Sequence, residues 1–340
     1  LLRGRRETDF RPGMPLTDYR IDYHLDAGGE QMSVVGHVQQ LRLSACYQKS
    51  DLTCLTCHDP HAAERPADRT ELYRQKCLTC HAPRGCAVPA AERRQRQPAD
   101  DCSACHMPRG DTDIPHVAAT HHRIGRHGPP PKAKGPTGTP VPVPDADLSH
   151  LGPVENRRNL GIAYWNLLEN QYPEFVRHHA AFRERAHSNL EAAYAAGLRD
   201  GLTVVGLAEC SWPTDPDRAG AYAEEALRAP DLTPEGRARA LAVLSDYRLR
   251  ENDFPAAIRL LEDLVRRRRY GEDWHLLGFA YLRDHRPEKA LAALRQALAI
   301  RPTRPDVHAA LADVYGLLGE PGRARDHRQK AEWLILHHQD

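Results

Sequence analysis

Residues 274–302 read WHLLGFAYLRDHRPEKALAALRQALAIRP and carry the strongest fold signal in the chain. Apolar side chains recur three or four positions apart on both sides of the DHRP turn, which predicts two amphipathic helices joined by that turn. Small residues such as Gly278 and Ala290 would let the two helices approach closely, while Tyr281 and Leu294 would fill the space between successive pairs. The stretch therefore predicts a helical hairpin that needs neighbours to bury its apolar faces.

The same pattern recurs at an interval of 34 residues, which is the tetratricopeptide period. One interval earlier and one later, the corresponding residues are Val243, Tyr247, Ala256 and Leu260, then Ala312, Tyr315, Ala324 and Ala331. Helical segments at 159–168, 180–196, 203–210 and 218–228 extend the series to about five helical pairs. The predicted fold class is mostly α, with an α-solenoid of tetratricopeptide-like pairs; a non-repeating helical bundle is the alternative.

Three C-x-x-C-H motifs precede the repeats, at 54–58, 77–81 and 102–106. Two thiols at this spacing can add to the vinyl groups of one porphyrin, and the adjacent histidine can bind its iron. The motifs predict three covalently attached haems c. The predicted attachment residues are Cys54, Cys57, Cys77, Cys80, Cys102 and Cys105, with His58, His81 and His106 as proximal ligands. A zinc site built from the first two cysteine pairs is the alternative, but it would leave the third pair without a role.

Seven further histidines lie in the same region, enough for a second axial ligand on every iron. His61 follows His58 too closely to reach the opposite face of the same haem, so it would serve a neighbouring one. The predicted distal ligands are His61, His116, His122 and, more weakly, His37. Saturated irons have no vacant position for substrate, which favours an electron carrier over an enzyme.

Composition suggests three segments. A Pro/Gly-rich stretch at 128–153 is expected to form a semi-rigid linker between a trihaem domain at 1–127 and a repeat domain at 154–337. The first segment should contain little regular structure beyond short helices at the motifs and a short ribbon near 31–45, since the haems would supply its core. A Cys46 to Cys86 disulfide is possible there, while Cys210 is expected to be buried.

Charge and hydropathy exclude other classes of protein. The formal net charge is +1, and the haem propionates would make the first segment more acidic, so no nucleic-acid partner is expected. The arginine run at 266–269 is interpreted as a solvated helix face. No stretch is long and apolar enough for a membrane span. Because haem c is attached outside the cytoplasm, we expect export by a signal peptide absent from this chain.

Several strings together resemble multihaem c-type cytochromes fused to tetratricopeptide domains, in a three-haem version. These strings are PGMPLTDY (12–19), SACYQKS (44–50), LTCLTCHDPH (52–61), CSACHMPRG (102–110) and PHVAATHHRI (115–124). The resemblance implies an extracytoplasmic electron-transfer role, and it implies His61, His116 and His122 as distal ligands. Relatives of this type commonly carry further C-x-x-C-H motifs upstream, which this chain does not contain.

The leading functional hypothesis is electron transfer through three bis-histidine haems to and from redox partner proteins. The repeat domain would bind a peptide or protein, and the haem domain could self-associate into an extracellular filament through exposed haem edges. One alternative is a multihaem reductase in which one haem keeps an open coordination position. The other is a scaffold whose haems are only structural and whose repeats recruit a partner.

Overall fold

The computed structural model describes residues 2–5, 7–26, 37–62, 68–82, 85–96, 100–110, 119–126, 138–169 and 173–337. The chain divides into two compact units. The first, called the repeat unit, comprises Leu1–Leu25 and Pro142–Asp340, and the second, called the motif unit, comprises Asp26–Val141. Two parts of the predictions lie outside the described residues. They are the predicted distal ligand His116 and residues 31–36 of the predicted ribbon.

The motif unit is built from short elements. Its helices are α1 (His37–Arg42), α2 (Ala45–Gln48), α3 (Cys54–Cys57), α4 (Arg69–His81), α5 (Ala90–Arg96) and α6 (Cys102–His106). Strands Arg109–Gly110 and Ala119–Thr120 pair antiparallel, with Arg109 opposite Thr120. Each motif lies in a helix, as predicted. The ribbon predicted near 31–45 is wrong for its described part, because α1 and α2 occupy residues 37–42 and 45–48.

The repeat unit is helical after residue 153. Its helices are α7 (Pro153–Asn166), α8 (Pro173–Val176), α9 (His179–Ala195), α10 (Gly201–Ser211), α11 (Pro216–Arg228), α12 (Pro234–Arg250), α13 (Phe254–Arg267), α14 (Gly271–Arg283), α15 (Pro287–Ile300), α16 (Pro305–Leu317) and α17 (Pro321–His337). Short 3-10 turns are formed by Glu7–Asp9, Leu16–Asp18 and Leu167–Glu169. The closest packing joins α7 with α9, α10 with α11, α12 with α13, α14 with α15, and α16 with α17. The mostly α fold class and the five predicted pairs are confirmed.

The N-terminal segment Leu1–Leu25 belongs to the repeat unit. Strand Tyr23–Asp26 pairs with strand Val141–Pro144, and His24 Nδ1 lies 2.7 Å from Asp145 Oδ1. The segment Val141–Pro144 is extended, as its proline content predicts. It is paired with another strand and does not run as an unpaired linker. Backbone pairing between distant segments has no signal in a single sequence.

Helix starts in the repeat unit follow their capping residues. The side chains of Asp200, Asp215, Thr233 and Asp253 each accept a hydrogen bond from the backbone N–H three residues on. These bonds satisfy donors that the first helical turn leaves open. Where α16 ends, Gly319 has φ +74°, a left-handed conformation that glycine adopts without steric cost.

The solenoid core consists of two apolar clusters in contact through the half-buried Leu227 and Leu260. Within the α14–α15 pair, Leu294 is fully buried against Gly278, and a Cβ at position 278 would lie 2.6 Å from Leu294 Cγ. The close approach predicted for Gly278 is therefore present. Cys210 is buried, as expected, and burial raises its thiol pKa to about 12.

A buried ion pair ties α7 to the turn before α10. Arg158 Nε donates to Asp200 Oδ2 at 2.9 Å, and both side chains are almost inaccessible to solvent. Burial alone would raise the pKa of Asp200, but Arg158 and Thr203 outweigh it and hold that pKa below its usual value. Removing one partner of such a pair leaves an uncompensated buried charge, so both positions are constrained.

Two further expectations are corrected. Cys46 and Cys86 are free thiols, so the possible disulfide is not formed. The arginine run is not a helix face, because α13 ends at Arg267 and Arg268 has extended backbone angles. None of the described helices has the length and apolar character that crossing a lipid bilayer requires.

Candidate haem-attachment site

The three C-x-x-C-H motifs come together in the motif unit. They occupy α3, the end of α4 and α6, and α4 packs against both of the other helices. The Cys77 thiol has its pKa raised to about 11, first by burial and then by the neighbouring Cys102 and Cys57. A hydrogen bond also joins Cys77 to Cys102. The fold thus gathers cysteines from all three motifs around the middle one.

Each motif presents one exposed and one half-buried thiol, and all six cysteines are free. The exposed thiols are those of Cys54, Cys80 and Cys105, and the half-buried ones are those of Cys57, Cys77 and Cys102. Addition to porphyrin vinyl groups needs two unpaired thiols per haem that an incoming cofactor can reach. The exposure of these thiols meets that requirement.

The same cysteines do not form a closed zinc site. A structural zinc ion needs four ligand atoms that converge on one point. Among the described residues, no three cysteine or histidine ligand atoms from the motifs lie within 4.8 Å of one another. The arrangement therefore favours the haem interpretation over the zinc alternative.

The predicted proximal histidines end or directly follow the motif helices. His106 Nδ1 lies 2.9 Å from the Gly125 carbonyl oxygen, which can only accept, so Nδ1 carries the proton. His58 Nδ1 lies 3.0 Å from the Tyr73 hydroxyl. Fixing Nδ1 in this way leaves Nε2 as the nitrogen that can bind a metal. His81 is the last residue of α4 and is exposed.

His122 is held by a similar hydrogen bond. Its Nδ1 donates to the Thr120 carbonyl at 2.8 Å, which assigns the lone pair to Nε2. Burial lowers the pKa of His122, and the neighbouring His37 and His58 lower it further. The ring is therefore neutral near pH 7, as a metal ligand must be.

Two buried residues of the first helices fix the backbone around His122. The Gln40 amide oxygen accepts the His122 N–H at 2.7 Å. Ser44 Oγ donates to the His122 carbonyl at 3.3 Å and accepts from the Ile124 N–H at 2.8 Å. These bonds, with the short strand pair, set the position of His122 relative to the first motif.

The rings of His58 and His122 have centres 6.4 Å apart and an interplanar angle of 36°. Metal–imidazole bonds are about 2 Å long, so two nitrogens binding one iron from opposite faces are about 4 Å apart. Adding the distance from each nitrogen to the centre of its own ring gives about 6 Å between the two ring centres. The pair thus has the spacing that bis-histidine haem ligation requires.

The other predicted distal ligands differ in their surroundings. His37 is exposed and stacks on His122, with ring centres 4.2 Å apart. His61 is exposed, and within the described part of the chain its ring contacts no other predicted ligand. Its backbone N–H bonds the Asp59 carboxylate at 2.9 Å. The structure brings His58, His122 and His37 together, and His116 lies outside the described residues.

A buried carboxylate beside the third motif was not predicted. Asp100 accepts from Arg93 Nε at 2.8 Å and from Arg74 Nη1 at 2.6 Å, so it joins α4 to α5 directly before α6. These hydrogen bonds hold the pKa of Asp100 well below its usual range. The backbone of Asp100 is left-handed, with φ +51°. This network fixes the relative placement of the second and third motifs.

Comparison with known proteins yields two family matches. Residues 48–85 match the doubled CXXCH motif family, and residues 281–327 match a tetratricopeptide repeat family. The first range covers the first two motifs; the third lies outside it, so the haem count of three remains a prediction. No curated protein matches the chain.

Solved structures resemble the repeat unit. MamA of Desulfovibrio magneticus RS-1 is 19% identical, with 53% of this chain and 97% of that chain covered and a TM-score of 0.44. MamA MSR-1 is 22% identical, with 54% and 96% covered and a TM-score of 0.44. MamA AMB-1 is 24% identical, with 53% and 96% covered and a TM-score of 0.44.

The two family matches agree with the fold and with the arrangement of the motifs. A doubled CXXCH segment indicates covalent binding of haem c, and tetratricopeptide repeats indicate protein–protein interaction. The chain therefore combines a haem-binding CXXCH segment with a tetratricopeptide-type helical solenoid.

Proposed function

We propose that this protein transfers electrons through covalently attached haem c outside the cytoplasm and that its repeat unit docks partner proteins. The separation of 6.4 Å between the ring centres of His58 and His122 supports this proposal most directly. Haem c supplies reversible one-electron oxidation and reduction at its iron. An iron ligated on both faces has no vacant position for substrate, which favours a carrier over a catalyst.

Each group of residues has a separate task in this proposal. The six motif cysteines hold the porphyrins, and His58, His81 and His106 bind their irons from one side. His122 binds the first iron from the other side, while Thr120 keeps its Nδ1 protonated. The two remaining distal positions would be filled by His61 and His116, with His37 as the alternative ligand.

The proposal includes self-association through the motif unit. Three porphyrins attached to a unit this small cannot all be enclosed, and the motif thiols are exposed or half-buried. Exposed porphyrin edges at two ends of the unit would allow a head-to-tail contact, which generates a filament when it does not close. Electron microscopy of concentrated native protein should show filaments; discrete particles alone would contradict this part.

Haem stoichiometry and spectroscopy test the central claim. We expect three haems per chain in a pyridine haemochrome assay and a fully low-spin spectrum that carbon monoxide does not alter. In His122→Ala, one haem should become high-spin and bind carbon monoxide. The matched variant His121→Ala changes the adjacent histidine and should keep the low-spin spectrum.

Two outcomes would overturn the proposal in different ways. Carbon monoxide binding by one haem of the unaltered protein would favour the reductase alternative. Haems that cannot be reduced and reoxidised reversibly would favour the scaffold alternative. If His121→Ala and His122→Ala changed the spectrum equally, the assignment of His122 as the distal ligand of the first haem would be rejected.

A further inference from the structure

An open groove in the repeat unit lies where α13 and α15 end and α14 begins. Its lining combines two kinds of side chain. Val265, Trp274 and Ile300 are half-buried and apolar, whereas the four consecutive arginines 266–269 are charged and mostly exposed. A ligand in this groove would meet apolar surface and positive charge together.

The arginines of the groove differ in how closely carboxylates pair with them. Arg266 and Arg267 share Asp263, at 3.5 and 3.1 Å, and Arg268 is bound to Asp273 at 2.7 Å. Arg269 forms no ion pair within the described part of the chain. Arg266 and Arg269 are therefore the exposed guanidinium groups of the run with the weakest carboxylate pairing.

Part of the groove is held rigidly before any ligand arrives. Asp273 is buried and receives two hydrogen bonds from Arg268, at 2.7 and 2.8 Å. The Arg268 guanidinium also lies over the Tyr270 ring, 4.6 Å from its centre. Because Arg268 is fixed, the exposed arginines on either side extend from a defined backbone, which reduces the entropy lost on binding.

We propose that this groove binds an acidic peptide segment that carries a bulky apolar side chain. Carboxylates of the segment would pair with Arg266 and Arg269, since a guanidinium matches a carboxylate in bidentate geometry. Its apolar side chain would pack against Trp274 and Ile300. The inference rests on the docking role proposed above for the repeat unit and not on haem attachment.

Fluorescence anisotropy with the full chain tests this site. The probe is a fluorescein-labelled peptide of glutamates around a central phenylalanine. The double variant Arg266→Gln/Arg269→Gln should weaken its binding about tenfold, because two charge-assisted contacts are lost. The matched double variant Arg250→Gln/Arg259→Gln removes two exposed arginines outside the groove and should bind like the unaltered protein.

Two altered probes test both parts of the recognition. Replacing the central phenylalanine by alanine, or the glutamates by glutamine, should each weaken binding. Arg269→Glu provides a further test, since this residue is exposed and forms no ion pair within the described part of the chain, and it should weaken binding more than Arg269→Gln.

The proposal fails if both double variants weaken binding equally or if the alanine probe binds as tightly as the phenylalanine probe. It also fails if an oligothymidylate binds more tightly than the peptide. Haem absorption measured on the same samples separates this result from the proposed function. If the unaltered protein has an intact haem spectrum but does not bind the peptide, the groove is rejected. If it binds the peptide but carries no haem, only the electron-transfer role is rejected.

Discussion

Tyr73 lies edge-on against His58, with its hydroxyl oxygen 3.0 Å from His58 Nδ1 and the two rings inclined at 69°. A hydrogen bond at the nitrogen that does not bind the metal orients the imidazole and raises its basicity. Tyr73 is carried by α4 and His58 follows α3, so this contact also joins two motif helices. We therefore expect Tyr73 to influence the reduction potential of the first haem.

We predict that Tyr73→Phe raises the reduction potential of one haem. A more basic imidazole favours the oxidised iron, so losing the hydrogen bond favours the reduced iron. A bond worth about 1 kcal/mol corresponds to about 40 mV for a one-electron couple. Spectroelectrochemical titration measures the shift. Tyr47→Phe removes a hydroxyl elsewhere in the motif unit and should leave all potentials unchanged; equal shifts in both variants would contradict this role.

We predict that Gln40→Met loosens the segment that carries His122. The substitution keeps the side-chain length but leaves the His122 N–H without its acceptor, at a cost of about 1–3 kcal/mol. Faster hydrogen exchange of that amide and a partial high-spin signal from one haem are expected. Gln75→Met alters an exposed side-chain amide on α4 that bonds Glu71. It should change neither the hydrogen exchange of the His122 amide nor the spin state of the haems. If the His122 amide exchanged at an unchanged rate in Gln40→Met, Gln40 would not hold this segment.

We predict that Gly278→Ala destabilises the solenoid by about 1–3 kcal/mol, because the new Cβ would overlap the buried Leu294. Thermal unfolding of the full chain measures the effect. Gly316→Ala is the matched change in α16, where a Cβ would meet nothing within 4 Å, and it should stabilise the protein slightly. If both variants lowered the melting temperature equally, the close contact at Gly278 would not be the cause.

We predict that Asp246→Asn stabilises the protein at neutral pH. Burial raises the Asp246 carboxyl pKa to about 6, and the nearby Asp273 and Glu272 add to the rise while Arg268 opposes it. The native state therefore favours the protonated form, and stability is lost as pH rises from about 4 to about 6. Because the side chain is only half-buried, we expect a gain of about 1–2 kcal/mol at pH 7.

Denaturant unfolding across this pH window tests the Asp246 prediction. The advantage of Asp246→Asn should shrink as pH falls from about 6 to about 4 and disappear near pH 3, where the carboxyl is protonated in both folded and unfolded chains. Asp313→Asn, on the exposed side of α16, should change stability by less than about 0.5 kcal/mol at any of these pH values. A gain that does not vary with pH would point to a cause other than ionisation.

The sequence predicted those features that depend on local periodicity and on covalent spacing. The interval of 34 residues identified the repeats, because each pair uses the same positions for close packing, and Tyr281 and Leu294 are buried as expected. The predicted ribbon was wrong for its described residues 37–45, since a short polar segment has no period strong enough to separate α1 from a strand. The ion pair between Arg93 and Asp100 shows the same limit of sequence-based prediction, because only the folded structure identifies Asp100 as the partner of Arg93.

Chain composition and motif spacing alone determined the helical solenoid and the capacity for thiol-linked haem, since both depend on residues close together in sequence. Only the tertiary structure brings the His122 ring within 6.4 Å of His58, because Gln40 and Ser44 hold a segment some 80 positions away. It also decided that strand Tyr23–Asp26 pairs with strand Val141–Pro144. Contacts between distant segments arise from packing and backbone pairing, and no local pattern encodes them.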